Sequence, residues 1–140
     1  MTDAPARLPA TTPDRDVDTR PFWTATTESR LALPRCNSCE FVIWYPRAYC
    51  PACHSTDVSW FDASGNGTVY SYTISRRGVG AFAKCTPYVL AYVELDEGPR
   101  VLTNIVDTEP GSIRIGQRVT AVFEPAGEDA ALVRFRAVTS

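Results

Sequence analysis

Four cysteines constrain this chain more than any other feature. They read Cys36-Asn37-Ser38-Cys39, then ten residues, then Cys50-Pro51-Ala52-Cys53. Two cysteines three apart in a tight knuckle turn present both sulfurs to one ion, and a second knuckle completes a tetrahedron with Zn–S near ~2.3 Å. The spacer suffices for a short two-stranded hairpin that returns to the same point. The pattern predicts a zinc ribbon over residues 34–58 with Cys36, Cys39, Cys50 and Cys53 as ligands. Iron on the same four sulfurs, or a set of reduced thiols, is the other chemistry such a set allows. Four thiolates leave no open coordination position, so the ion is expected to be structural. In a segment with little core of its own, it would supply much of the folding free energy. His54 is redundant as a fifth ligand and reads as a turn residue. Cys85 stands alone and reads as a small apolar filler.

Charge and composition exclude several function classes. The 140 residues carry 14 Lys+Arg against 16 Asp+Glu, a formal net charge of −2. Phosphate neutralisation needs clustered positive charge, so a nucleic-acid partner is not expected. No run approaches the roughly 20 apolar residues of a membrane span. With 44% hydrophobic and 11% aromatic residues, the chain as a whole is not disordered. One histidine, His54, cannot build a histidine-based triad with any economy. The first residues, Met1-Thr2-Asp3-Ala4-Pro5, lack the basic start and apolar stretch of a signal peptide, so the expected location is the cytoplasm, where thiols stay reduced.

Along the chain, residues 1–20 hold three prolines and few large apolar side chains and read as a mobile tail. Pro21-Phe22-Trp23 opens a segment that reads as a short helix over 21–33, with Pro favourable at a first helical position. Between the knuckles, Phe41-Val42-Ile43-Trp44-Tyr45 is more apolar surface than a small ribbon can bury. It serves either to pack the ribbon on the next domain or as a protein interface. From residue 59 to 140 the pattern is period two. Tyr70, Tyr72 and Ile74 are expected on one face of a first strand. Val89, Ala91, Val93 and Leu95 share a face of the second. Residues 100–107 read as a strand packed on both sides, and 117–124 as a fourth strand. In 131–138, Val133 and Phe135 point inward and Arg134 and Arg136 outward. Five strands in this length predict a small OB-fold barrel. The loop 76–86 carries Arg76, Arg77 and Lys84 with an exposed Phe82, and has Gly78 and Gly80 for flexibility. It is either a solvated hairpin loop or a contact for a phosphate-bearing ligand.

The order of these parts resembles one family. The matching residues are Pro21-Phe22-Trp23, Leu31-x-Leu33-x-x-Cys36-x-x-Cys39, Tyr45-Pro46-Arg47 before Cys50-Pro51-x-Cys53, Gly65-x-Gly67-Thr68-Val69-Tyr70-Ser71, Pro87-Tyr88-Val89, Val93 to Arg100, and Ile115-Gly116-x-x-Val119. They are similar to the DUF35 family of acyl-CoA-associated proteins over about residues 20–138. The resemblance implies a rubredoxin-like zinc ribbon followed by an OB-fold. It also implies a small subunit beside a thiolase-fold enzyme, in a two-plus-two assembly, with the catalytic Cys and His on the partner and acyl-CoA as ligand of the complex. Retro-aldolases of steroid side-chain degradation and thiolase or acyltransferase complexes are the activities it suggests. Phe22, Trp23, Phe41, Trp44 and Tyr45 are then the interface candidates. In such ribbons glycine usually follows the second cysteine of each knuckle, where the turn tends to need positive φ. Here those positions are Glu40 and His54.

No G-x-S-x-G, phosphate-cradling glycine loop or evident carboxylate pair appears, so the chain is expected to carry no catalytic residue of its own. Two other functions fit the same parts. A zinc ribbon and OB-fold can bind single-stranded nucleic acid on aromatic platforms such as Tyr70 and Tyr72, which the charge opposes. A stand-alone acyl-CoA-binding protein is the other.

Overall fold

A computed structural model describes residues 8–138. The order is a helix α1 (Arg20–Thr27), strands β1 (Leu31–Cys36), β2 (Val58–Ala63), β3 (Asn66–Ser75), β4 (Tyr88–Leu95), β5 (Arg100–Ile105), β6 (Arg118–Pro125) and β7 (Ala131–Ala137), with single 3-10 turns at Gly80–Phe82 and Pro110–Ser112. β3-β4-β5-β7-β6 close into a barrel, and β1 and β2 form a separate antiparallel pair. The fold is mainly β, with a short N-terminal helix, a four-cysteine ribbon and a five-stranded OB-fold barrel. Among the described residues, no helix is long and apolar enough to cross a membrane.

The helix is shorter than the pattern predicted. Asp16 and Thr19 exchange hydrogen bonds ahead of it, Asp16 Oδ1 accepting from the Thr19 N–H at 2.8 Å and Thr19 Oγ1 from the Asp16 N–H at 3.2 Å. Pro21 sits in its first turn, where a missing N–H costs nothing. It stops at Thr27, and Ser29 takes a left-handed φ of 57°. Residues 31–36, expected to be helical to Leu33, form β1 instead, paired Leu31↔Ala63 through Cys36↔Val58. The apolar residues of Leu-Ala-Leu fit a strand buried on both faces, and Leu31, Ala32, Leu33 and Pro34 are all buried. Its partner, β2, lies almost wholly within the 59–140 stretch but pairs with β1, outside the closed barrel. No hairpin forms between the knuckles, where only the isolated bridge Arg35↔Val42 occurs.

The barrel strands lie close to their expected bounds. β4 alternates as predicted, with Val89, Ala91, Val93 and Leu95 inward. Three details differ. A bulge between Val69 and Ser71 turns Val69 into the core and leaves Tyr70 exposed, so Tyr70 does not share the face of Tyr72 and Ile74. β5 is packed on one side: Val101, Thr103 and Ile105 are buried while Leu102 is exposed. Arg134 is not in solvent but buried, donating to the carbonyls of Leu8 and Pro9. Residues 8–19, read as part of a mobile tail, thus lie against the barrel, and Arg15 adds an ion pair to Asp129 at 3.0 Å. Residues 1–7 of that tail fall outside the described residues. Gly67 is required by packing, since a Cβ there would stand 2.7 Å from the Glu94 carbonyl oxygen.

One core joins the parts. Phe22 and Trp23 of α1, Leu31 and Leu33 of β1 and the inward barrel residues form a single cluster, with Trp44 and Trp60 packed against it. Thr26, buried in α1, accepts the Ala131 N–H at 3.0 Å and so ties the helix to β7.

Candidate metal centre and flanking surfaces

The two knuckles have matched hydrogen bonding. The Glu40 N–H donates to Cys36 O (2.9 Å) and the His54 N–H to Cys50 O (2.8 Å); the Cys36 N–H reaches Phe41 O (2.9 Å) and the Cys50 N–H reaches Ser55 O (2.8 Å). Each loop therefore turns back on its first cysteine. Backbone N–H groups of Ser38 and Cys39 point at Cys36 Sγ, and that of Ala52 at Cys50 Sγ. Such donors favour thiolate over thiol. Asn37 binds the loops together, its Nδ2 donating to Asp57 Oδ1 (2.9 Å) and Ser59 Oγ (2.7 Å).

All four sulfurs lie within 4.8 Å of one another. Cys36 and Cys53 are 3.5 Å apart and Cys39 and Cys50 3.6 Å. A regular tetrahedron with Zn–S ~2.3 Å has edges of about 3.8 Å, so the four residues fit one tetrahedral ion. The donor set is soft and closed, which suits a structural metal and leaves no place for a reactant. The Cys39 N–H, with further backbone and sulfur contacts, brings the Cys36 thiol down to about 6. For Cys39 the Phe41 backbone pulls downward, but burial and the sulfurs of Cys50, Cys53 and Cys36 together push it up to about 12. The physical content is simple. Sulfurs this close cannot all be charged without a cation between them, and a divalent ion is what makes four thiolates compatible.

Glu40 and His54, where glycine was expected, both take a left-handed φ of 67°. The turn requires the conformation and these side chains endure it. Glu40→Gly and His54→Gly are each expected to stabilise the ribbon by about 1 kcal/mol, the left-handed penalty less the added chain entropy of glycine. Since 1.4 kcal/mol is tenfold, each should slow transfer of the metal to a chelator by about fivefold, provided exchange passes through local opening. Unchanged or faster transfer would refute that account.

The other candidate residues are scattered. Phe22 and Trp23 are buried in the chain's own core, with rings edge-on at 4.8 Å, so they are not free interface residues. Trp44 is half-buried against Phe22, centroids 5.5 Å apart, while Phe41 and Tyr45 are exposed. Arg76, Arg77 and Lys84 are exposed on their loop. Phe82, expected in solvent, is partly buried and packs on Tyr88 at 5.3 Å. Cys85 is buried with its thiol on Ala81 O, as a filler would be. His54 is exposed in its turn. The sequence reading missed Asn37 within the first knuckle, Asp57 and Ser59 after the second, and the burial of Arg134; no motif marks them.

A four-cysteine knuckle site mounted on a closed five-stranded barrel defines a zinc-ribbon/OB-fold protein. Comparison with known proteins narrows this. The family model for the ChsH2 rubredoxin-like zinc ribbon domain matches residues 23–59, and that for the ChsH2 C-terminal OB-fold domain matches 60–124. A "DUF35 domain-containing scaffold protein" of Methanocaldococcus jannaschii is 40% identical over 96 residues, covering 68% of each chain. The chain belongs to the DUF35 family. It is also 37% identical over 116 residues to a "probable enoyl-CoA hydratase alpha subunit" of Thermomonospora curvata, spanning 82% of this chain but only 36% of that longer protein. Among solved structures, a chain of the "Ltp2-ChsH2(DUF35) aldolase" superposes with a TM-score of 0.78 and 35% identity, covering 89% of this chain and 98% of that one.

Proposed function

We propose that this chain is the non-catalytic partner subunit of a thiolase-fold acyl-CoA enzyme in the cytoplasm, in an assembly with two copies of each. The observation that carries the reading is the near-complete superposition on a chain of the Ltp2-ChsH2(DUF35) aldolase, which spans ribbon and barrel alike. The chain's own chemistry is consistent with it: the metal-ligand set is closed, and the single histidine stands exposed in a knuckle turn. Bond-making groups then come from the partner. The activity proposed is carbon–carbon cleavage of an acyl-CoA thioester, of the retro-aldol kind used on steroid side chains, with thiolase or acyltransferase chemistry as its near relative. The zinc-ribbon site would hold zinc as a staple that keeps the ribbon folded against the barrel.

This chain's contribution at the ligand is charge. Arg76, Arg77 and Lys84 would face the phosphates of CoA from the 76–86 loop, while Phe82 stiffens that loop against Tyr88. Replacing the three cations with alanine is expected to raise KM for the thioester about fivefold to tenfold with kcat nearly unchanged, the effect of losing a few partly exposed charge contacts. A change confined to kcat would place the loop elsewhere. The reading as a whole is tested by co-expression with a thiolase-fold acyl-CoA enzyme from the same genome. Co-purification, and a partner that is inactive or insoluble alone, is expected. Separate purification with a fully active partner ends the proposal.

A further inference from the structure

The barrel is closed most weakly between β5 and β7. These strands are parallel and pair at one position, Ile105↔Phe135, where the Val106 N–H meets Phe135 O. Before that point no ladder joins them, and the Thr103 hydroxyl crosses the gap to Val133 O. A groove of about 270 Å³ follows the seam, lined by Leu102, Leu132 and Val133 of the two strands and by Trp44 and Tyr45 of the ribbon. That volume is well above the ~150 Å³ that accepts a benzene ring. Trp23 also lines it, and its indole N–H is buried with no acceptor among the described residues.

The groove continues onto an apolar outer face. Leu102 is 55% exposed and lies directly opposite Tyr92, which is 46% exposed; Leu90, two residues along β4, is 38% exposed. With Tyr45 at 41%, these four side chains present roughly 350–400 Å² to solvent. A standard interface takes ~800 Å² from each partner, so this patch is about half of what a stable complex needs, already assembled around one pocket. Anchors of that kind, seated in a groove and ringed by neutral contacts, dominate association.

We propose that this side of the barrel is where the partner enzyme docks, seating one aromatic or leucine side chain of a short extended segment in the groove over the β5–β7 seam. The carbonyls of that segment would run along the stretch where β5 and β7 share no ladder. The assignment rests on the subunit role proposed above, but it can fail alone.

The test uses the co-purified complex with the thiolase-fold protein. Leu102→Asp and Tyr45→Asp, both at exposed positions, are expected to weaken association at least ~10-fold. Ile115→Asp, also at an exposed apolar residue but outside the groove, should change it less than twofold. Hydrogen exchange on the wild-type complex should show added protection at amides of 100–104 and 132–134. If the complex forms, tolerates both groove variants and leaves those amides unprotected, the docking assignment is overturned while the subunit role stands. If wild type forms no complex, both fall.

Discussion

Cys50→Ser is expected to unfold the ribbon while leaving the barrel standing. Beyond the site residues Cys36 and Cys50, the ribbon interior consists of Ile43 with Val58 against it, too little to fold on its own. Structural zinc in isolated finger peptides supplies roughly 10–16 kcal/mol near neutral pH, and losing one of four thiolates forfeits most of that. Metal analysis should fall from stoichiometric to near zero, and limited proteolysis should cut within residues 37–57. The β signal of the barrel should persist. Cys36→Ser should behave alike, and because Cys36 also ends β1 its loss should loosen the β1–β2 pair as well as the knuckle. Because the site is closed, the turnover of any complex that still assembles should be little altered. A variant that keeps its metal and its protease resistance, yet loses turnover, would show the site to be chemical and not structural.

Phe22→Ala is expected to cost about 3–5 kcal/mol, against a total of ~5–15 kcal/mol for a domain of this size. Phe22 is 2% exposed and touches the rings of both Trp23 and Trp44. It is thus where helix, ribbon and barrel meet. The cavity left behind would remove the main apolar contact between α1 and Trp44. We expect thermal unfolding to separate into two transitions, the ribbon and helix first and the barrel later. One cooperative transition at the wild-type temperature would mean that Phe22 does not couple the parts.

The features legible in the sequence were those fixed by neighbours in the chain. Cys-x-x-Cys sets its own turn, so the four cysteines that come together were legible, and the strict alternation of Val89, Ala91, Val93 and Leu95 named both the strand and its face. Where distant residues decide, local reading failed. Leu31 and Leu33 fit a helix stripe as well as a strand until β2, some 27 residues on, is known to pair with them. Tyr70 reverses because one extra residue enters the ladder at that point. Leu102 alternates like a core residue yet faces outward. Arg134 is covered by residues that precede it by 125 positions or more. Glu40 and His54 show the reverse case: the turn geometry was predictable, but that non-glycine residues adopt it was visible only in the structure.

The reach of Arg134 back to Leu8 and Pro9, and of Ala131 back to Thr26, has a consequence for biosynthesis. The helix leaves the ribosome about a hundred residues before the strand that covers it. For several seconds, at ~5–20 residues per second, Phe22 and Trp23 have no final resting place, and the nascent chain carries a sticky aromatic pair. Completion of the last strand is the event that hides it, so chains stalled or truncated before residue 131 should be the ones that aggregate or engage chaperones.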